Sequence, residues 1–232
     1  MSSVYVAQPK PSFFITLLET TDLSRREFEA IPRMNSMLAR GLTLSEYRAF
    51  LHDLYHVVWH FVPIMAAAAS RIPDQFKQVR AELYDRIQEE RGHELWVLED
   101  VEAVGGLVDR VRNQAPSAPM QCMIAYNYYC AERGHPCSVL GMLYSLEVIA
   151  SAYAMTLAQS IAKAIGRDVD APGFKFLLSH SAMDQDHVAK LNVLMKTIDD
   201  PAGQEAAISA TQVNFYQFGR VFHDGGFTSL IP

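Results

Sequence analysis

Apolar residues recur along the chain at intervals of three and four, the helical period, and strand-like alternation is nearly absent. Residues 12–40 read as one or two short helices interrupted near Pro32, with Gly41 a natural stop. Thr43 and Glu46 then supply a capping box that opens a long helix to about Ser70, punctuated by Pro73. A third helix is predicted from about Asp74 to Val104, ending at Gly105-Gly106. The stretch Gln114-Ala-Pro-Ser-Ala-Pro119 is a loop, followed by a helix to about Arg133 and a break at Gly134-His135-Pro136. An apolar helix over 137–165 and a helix from about Phe174 to Thr197 come next. The last helix has Asp200 as its cap and Pro201 at its first position, and ends before Gly225-Gly226. No repeat, linker or low-complexity tract appears, so residues 1–232 are expected to form one all-α domain, a bundle of about seven helices.

Composition and charge narrow the possibilities. Half of the 232 residues are hydrophobic and a fifth are charged, which is ordinary for a globular chain and excludes general disorder. The net charge is −6 and no Lys/Arg cluster occurs, so neither nucleic acid nor an anionic membrane surface is the expected partner. Cys122, Cys130 and Cys137 are odd in number and contain no CxxC pair, which points to free thiols and a cytoplasmic setting. Met1 to Pro11 lack the basic and then apolar order of a secretory leader. From Cys137 to Ile161 the only charge is Glu147, which meets the length test for a membrane span. A central helix walled in by other helices is equally apolar, and the serines, threonines and carboxylate in the run favour that reading.

Chemistry concentrates at a few positions. His180, Asp184 and His187 fall within roughly 60° of one another around a helix, so two imidazoles and a carboxylate share one stripe beside the apolar positions. Glu90 and His93 repeat the carboxylate-x-x-imidazole spacing of Asp184 and His187 on another helix; an exposed pair is the usual meaning of either motif alone. Glu147 lies in the most apolar part of the chain, where an unpaired carboxylate costs several kcal/mol and must be protonated, hydrogen-bonded or bound to a cation. His52, His56 and His60 form a further stripe, from which His56 is the first choice as a ligand and His60 the second. The candidate metal ligands are therefore Glu90, His93, Glu147, His180, Asp184 and His187, with His56 in reserve. So many donors exceed one tetrahedral zinc site and suit two ions sharing carboxylates; mixed nitrogen and oxygen donors without thiolate favour iron or manganese.

The helical order, the Ile31-Pro32…Leu38-Ala-Arg-Gly41-Leu-Thr-Leu-Ser45-Glu46-Tyr47…Phe50-Leu51…Tyr55 segment, the mid-helix Glu147 and the HxxxDxxH of 180–187 resemble the haem-oxygenase-like superfamily, in overall shape its TenA-like and pyrroloquinoline-quinone-synthase-like members. The ligand pattern more specifically resembles the haem-oxygenase-like di-iron oxidases. That resemblance implies a seven-helix fold, two ferrous ions as cofactor, O₂ as co-substrate, and oxidation of a small amino-acid- or fatty-acid-like molecule, with a homodimer left open. The chain departs from the pattern twice: it offers His56 where such oxidases often carry a second-helix carboxylate, and Arg86 where many have a glutamate seven residues before the third-helix histidine. The alternative is a TenA-like thiaminase or aminopyrimidine hydrolase, whose nucleophile would be Cys122. Leu54 and Gln217 stand where it needs acids, and a thiol without an acid–base partner is a poor catalyst. A haem oxygenase with His56 or His60 as axial ligand, and a metal-free binding or regulatory protein, are the remaining readings.

Overall fold

The computed structural model describes residues 11–223, apart from the side chains of Asp184 and Gln185; the residues Met1–Lys10 and the Gly225-Gly226 stop lie outside the described residues. Among these the chain forms ten α-helices and no strand: α1 (Phe13–Glu29), α2 (Pro32–Arg40), α3 (Leu44–Ala69), α4 (Lys77–Glu90), α5 (His93–Ala103), α6 (Val108–Asn113), α7 (Ala118–Glu132), α8 (Ser138–Ala164), α9 (Lys175–Met195) and α10 (Pro201–Val221), with a 3-10 turn at Asp74–Phe76 before α4. The all-α expectation holds, with more helices than about seven, and the differences have local causes. The 12–40 segment divides because Pro32, which has no N–H to donate, sits in the first turn of α2. The single helix expected over 74–104 is two, since the chain leaves helical geometry at Arg91 and Gly92 takes φ +95°, a conformation that favours glycine. The short α6 lies between two turn segments, where the sequence carries too few residues to show a period.

Elsewhere the side chains act at the junctions as their types dictate. Thr43 Oγ1 accepts the Glu46 N–H at 3.3 Å while Glu46 Oε2 accepts the Thr43 N–H at 2.9 Å, closing the capping box of α3. Arg33 of α2 reaches the same Glu46 at 3.0 Å and ties α2 to that start. Asp200 Oδ2 accepts the Gly203 N–H at 2.6 Å, with Pro201 in the first turn of α10.

The apolar 137–161 run is α8, which packs most extensively against α9 and α10 and also meets α2, α3 and α7. Leu140, Leu143, Ala158 and Ile161 are wholly buried along it, and each large side chain of this kind contributes roughly 2 kcal/mol by leaving water. The helix is long and apolar enough to cross a membrane by length and composition, and here its neighbours cover much of that surface. Gly141 allows a close approach: a Cβ there would run into the Ala207 carbonyl and the Thr211 amide of α10. On the other side of the core α3 packs against α4, α5 and α7, and α5 meets α9. The buried side chains from Phe13 to Phe222 form a continuous core. Among the described residues a buried polar cluster interrupts it where α4 and α5 face α8 and α9.

Candidate metal centre

Glu90 is the last residue of α4 and His93 the first of α5, so the Glu-x-x-His spacing straddles a helix break. The turn through Arg91 and Gly92 lets the two side chains meet, with His93 Nδ1 2.8 Å from Glu90 Oε2. The third member comes from α9, whose first turn is held by Asp100 of α5. The two carboxylate oxygens of Asp100 accept the Lys175 and Phe176 N–H groups at 2.8 and 2.9 Å. Asp100 is buried, which pushes its carboxyl up to about 6 against the effect of those two bonds. One turn into α9, His180 Nδ1 lies 3.2 Å from the Phe176 carbonyl oxygen. A carbonyl only accepts, so Nδ1 donates to it and Nε2 is the ring nitrogen turned toward the cluster, 3.6 Å from Glu90 Oε2. One donor atom each from Glu90, His93 and His180 lie within 4.8 Å of one another, and all three residues are buried. Aromatic faces fix the two rings: His93 stacks on Trp96 and His180 on Phe176, each with centroids 3.9 Å apart.

Burial alone would push the Glu90 carboxyl up, but the hydrogen bonds from His180 and His93 and their charge outweigh it and hold it down at about 2. His187, two turns beyond His180, is also buried; its Nδ1 lies 3.9 Å from both Glu90 Oε1 and Glu147 Oε1, and its Nε2 lies 3.3 Å from Glu89 Oε2. Glu147 enters from the middle of α8. Its Oε1 accepts a hydrogen bond from Arg86 Nη1, on α4 one turn before Glu90. Arg86 is entirely buried, and its other donors reach Glu82 Oε1 at 2.8 Å and the His187 carbonyl at 3.0 Å. Burial lowers the guanidinium's affinity for its proton, but Glu147 and Glu82 more than restore it. The structure thus gathers Glu90, His93, Glu147, His180 and His187 in one region; the side chain of Asp184 lies outside the described residues.

His56 and His60 do not join them, which corrects the expectation for the α3 stripe. The α3 residues beside Glu90 are Leu54, Val57, Val58 and Phe61, and at 100° per residue the histidines fall on the opposite face. That face meets the α6–α7 region: His52 Nε2 is 3.3 Å from the Gln114 carbonyl and His60 Nδ1 is 2.9 Å from the Tyr128 hydroxyl. A haem ligand from this stripe would face the same wrong way. Cys122 is exposed on α7, and Leu54 lines the cavity where a TenA-like hydrolase needs an acid.

The cluster opens on an apolar cavity in two adjoining lobes. The inner lobe is lined by Glu90, Glu147 and His180 together with the α3 face. The outer lobe shares Leu54, Leu146, Phe176, His180 and Phe218 with it and runs on between Met34, Met37, Ile149 and Leu157. It encloses about 630 Å³ of space, mouth included. Among the described residues its only polar side chains are His180 and Tyr153, whose hydroxyl donates to Glu29 at 2.9 Å. Two residues that sequence reasoning missed carry this arrangement. Asp100 gave no sign, since an aspartate inside a helix reads as exposed; Arg86 was visible only as a reversed charge at a position where a glutamate was expected.

The same fold occurs in known proteins. A domain of unknown function with a haem-oxygenase-like fold from Shewanella denitrificans superposes with a TM-score of 0.79 at 19% identity, covering 93% of this chain and 92% of that one. A TenA homologue from Pseudomonas syringae pv. tomato gives 0.77 at 13% identity over 95% and 98% of the two chains. Haem oxygenase-1 from the cyanobacterium Synechocystis, in complex with haem, gives 0.71 at 16% identity over 93% and 92%. At such identities the likeness is one of fold. No curated protein matches the sequence. Residues 48–215 match the family of iron-containing redox enzymes. The chain belongs to that family.

Membership in the iron-containing redox enzymes implies iron, and the residues present can be tested against it. One carboxylate oxygen and two imidazole nitrogens form a mixed set suited to iron. Their donor atoms lie within 4.8 Å of one another, near enough for small side-chain rotations to close them around one ion, and His180 is already oriented by its backbone partner. Glu90, His93 and His180 therefore fit an iron ion. Glu147 differs from them in that its Oε1 already accepts a hydrogen bond from a guanidinium.

Proposed function

We propose that the protein is a non-haem iron oxidase that uses O₂ to oxidise a small molecule bearing an apolar chain. The observation that carries this reading is the opening of the Glu90–His93–His180 cluster onto the apolar cavity. Ferrous iron bound there would supply the O₂ chemistry. The chain's own residues supply the rest. Glu90 provides an anionic oxygen that stays ionised across the working range of pH, and His180, held at Nδ1 by its backbone partner, keeps Nε2 aimed at the centre. Leu54, Val57, Val58 and Phe61 keep water from the inner lobe, and the outer lobe offers a long hydrocarbon a path that ends at His180.

Between the two substrate types that the resemblance implies, the cavity favours the fatty-acid-like one. An amino acid brings an ammonium and a carboxylate together, and the outer lobe has almost no polar group to receive them. A fatty acid brings its single charge to one end, where the metal can balance it. Two irons sharing carboxylates would further require Glu147 and His187 as ligands. The test is to load the protein with ferrous iron without oxygen, add medium- and long-chain fatty acids or amino acids, and follow O₂ uptake and products after mixing with air. Uptake stimulated by the apolar chains is expected. Failure to bind iron, or uptake stimulated by amino acids and not by fatty acids, would overturn the reading.

A further inference from the structure

We propose that Arg86 takes the place of a second metal ion, so that the chain holds one iron, on Glu90, His93 and His180, and Glu147 is a positioning carboxylate rather than a ligand shared by two ions. This rests on the iron reading above and departs from the two-ion expectation for chains of this pattern.

Glu147 is the buried carboxylate on α8 that a two-ion centre would use, and a carboxylate in such a place needs a counter-charge. Arg86 already provides it, through Nη1 on Glu147 Oε1. The guanidinium is held on two further sides, by Glu82 Oε1 at 2.8 Å and the His187 carbonyl at 3.0 Å, and it is 0% exposed. An arginine is charged at every pH at which the protein is folded. A divalent ion bound to Glu147 would share a carboxylate with this fixed cation, and like charges a few ångströms apart repel strongly where the effective dielectric is low. Because Arg86 lies one turn before Glu90, the same face of α4 that places the iron's carboxylate places the cation that stands beside it. By also donating to the His187 carbonyl, Arg86 ties α9 to α4 and α8.

The deciding experiment counts ions. The whole protein, stripped of metal, is titrated with ferrous iron without oxygen, and bound iron per chain is measured by elemental analysis and calorimetry, with X-ray absorption to detect iron–iron scattering. One iron per chain and no iron–iron scattering are expected for the natural protein and for Arg86→Lys, which keeps the charge. Arg86→Ser, which removes the guanidinium and leaves space beside Glu147, is expected to take up a second ion. Two ions in the natural protein would overturn the inference while leaving the iron reading intact; no iron at all would overturn both. One ion in the natural protein and in a folded Arg86→Ser alike would show that Arg86 is not what excludes the second. Should Arg86→Ser fail to fold, the count in the natural protein still decides between one ion and two.

Discussion

Arg86 on α4 and Glu147 on α8 form an ion pair inside the core, with Arg86 at 0% and Glu147 at 4% exposure. Such a pair is costly to break from one side, because the partner left behind is a buried charge. Glu147→Leu is expected to destabilise the metal-free protein by about 3–5 kcal/mol. The double variant Arg86→Met with Glu147→Leu should recover much of that loss. Denaturant unfolding of the single and double variants measures the coupling, and simple additivity would mean that the pair is not the unit described here.

Gly92 should matter for the metal as well as for the fold. An L side chain at φ +95° is strained, and Gly92→Ala is expected to cost about 1–2 kcal/mol. Space is not the issue, since nothing lies within 4 Å of the added Cβ. Relief of that strain would turn His93 away from Glu90 and weaken iron binding. Arg91→Ala, at an exposed neighbouring position, should leave iron affinity unchanged; equal losses in both would dissociate the effect from the backbone.

Asp100 ties the helix of His93 to the helix of His180. Asp100→Ala removes the acceptor of two backbone N–H groups at the buried start of α9 and should cost about 2–4 kcal/mol. Iron affinity should fall with it, although Asp100 is not in the ligand cluster. Measuring both in one set of samples checks this. A stability loss with unaltered iron binding would place the anchoring of His180 elsewhere.

The depressed Glu90 carboxyl has a consequence for acid stability. Its folded value of about 2 lies below the ordinary 4.5, so the unfolded chain binds the proton more readily. The contribution is present above about pH 4.5 and is lost as pH falls from there toward 2, amounting to about 3 kcal/mol in full. Metal-free protein should therefore lose stability over that window more steeply than Glu90→Gln. Parallel unfolding curves from pH 6 to 2.5 provide the measurement, and identical slopes would contradict the assignment.

Histidines on opposite faces of the bundle should separate cleanly. His180→Ala is expected to lower iron affinity at least tenfold, the loss of a donor and of the group that offsets Glu90. His56→Ala and Cys122→Ala should leave it unaltered. Calorimetric titration distinguishes them, and a loss in His56→Ala would reopen α3 as a source of ligands.

Much of this protein is legible locally, because the physics is local. The helical period, the Thr43–Glu46 box and the Asp200–Pro201 start depend only on residues three or four apart. The same holds for the shared stripe of His180 and His187, and an apolar run around Glu147 is enough to say that this carboxylate must have a partner. Periodicity, however, tells which residues share a face and not what that face meets. The histidines of α3 share a stripe as regular as that of α9, yet theirs turns toward α6 and α7 while Leu54 and Val57 turn toward the centre. A single glycine in a helical pattern does not announce a break; at Gly92 the backbone takes φ +95° and the chain starts a second helix. The partner of Glu147 was the least accessible of all. Arg86 lies 61 residues away and meets it only because α4, α8 and α9 settle their faces against one another at once, so the charge that balances this carboxylate was decided by the assembled core.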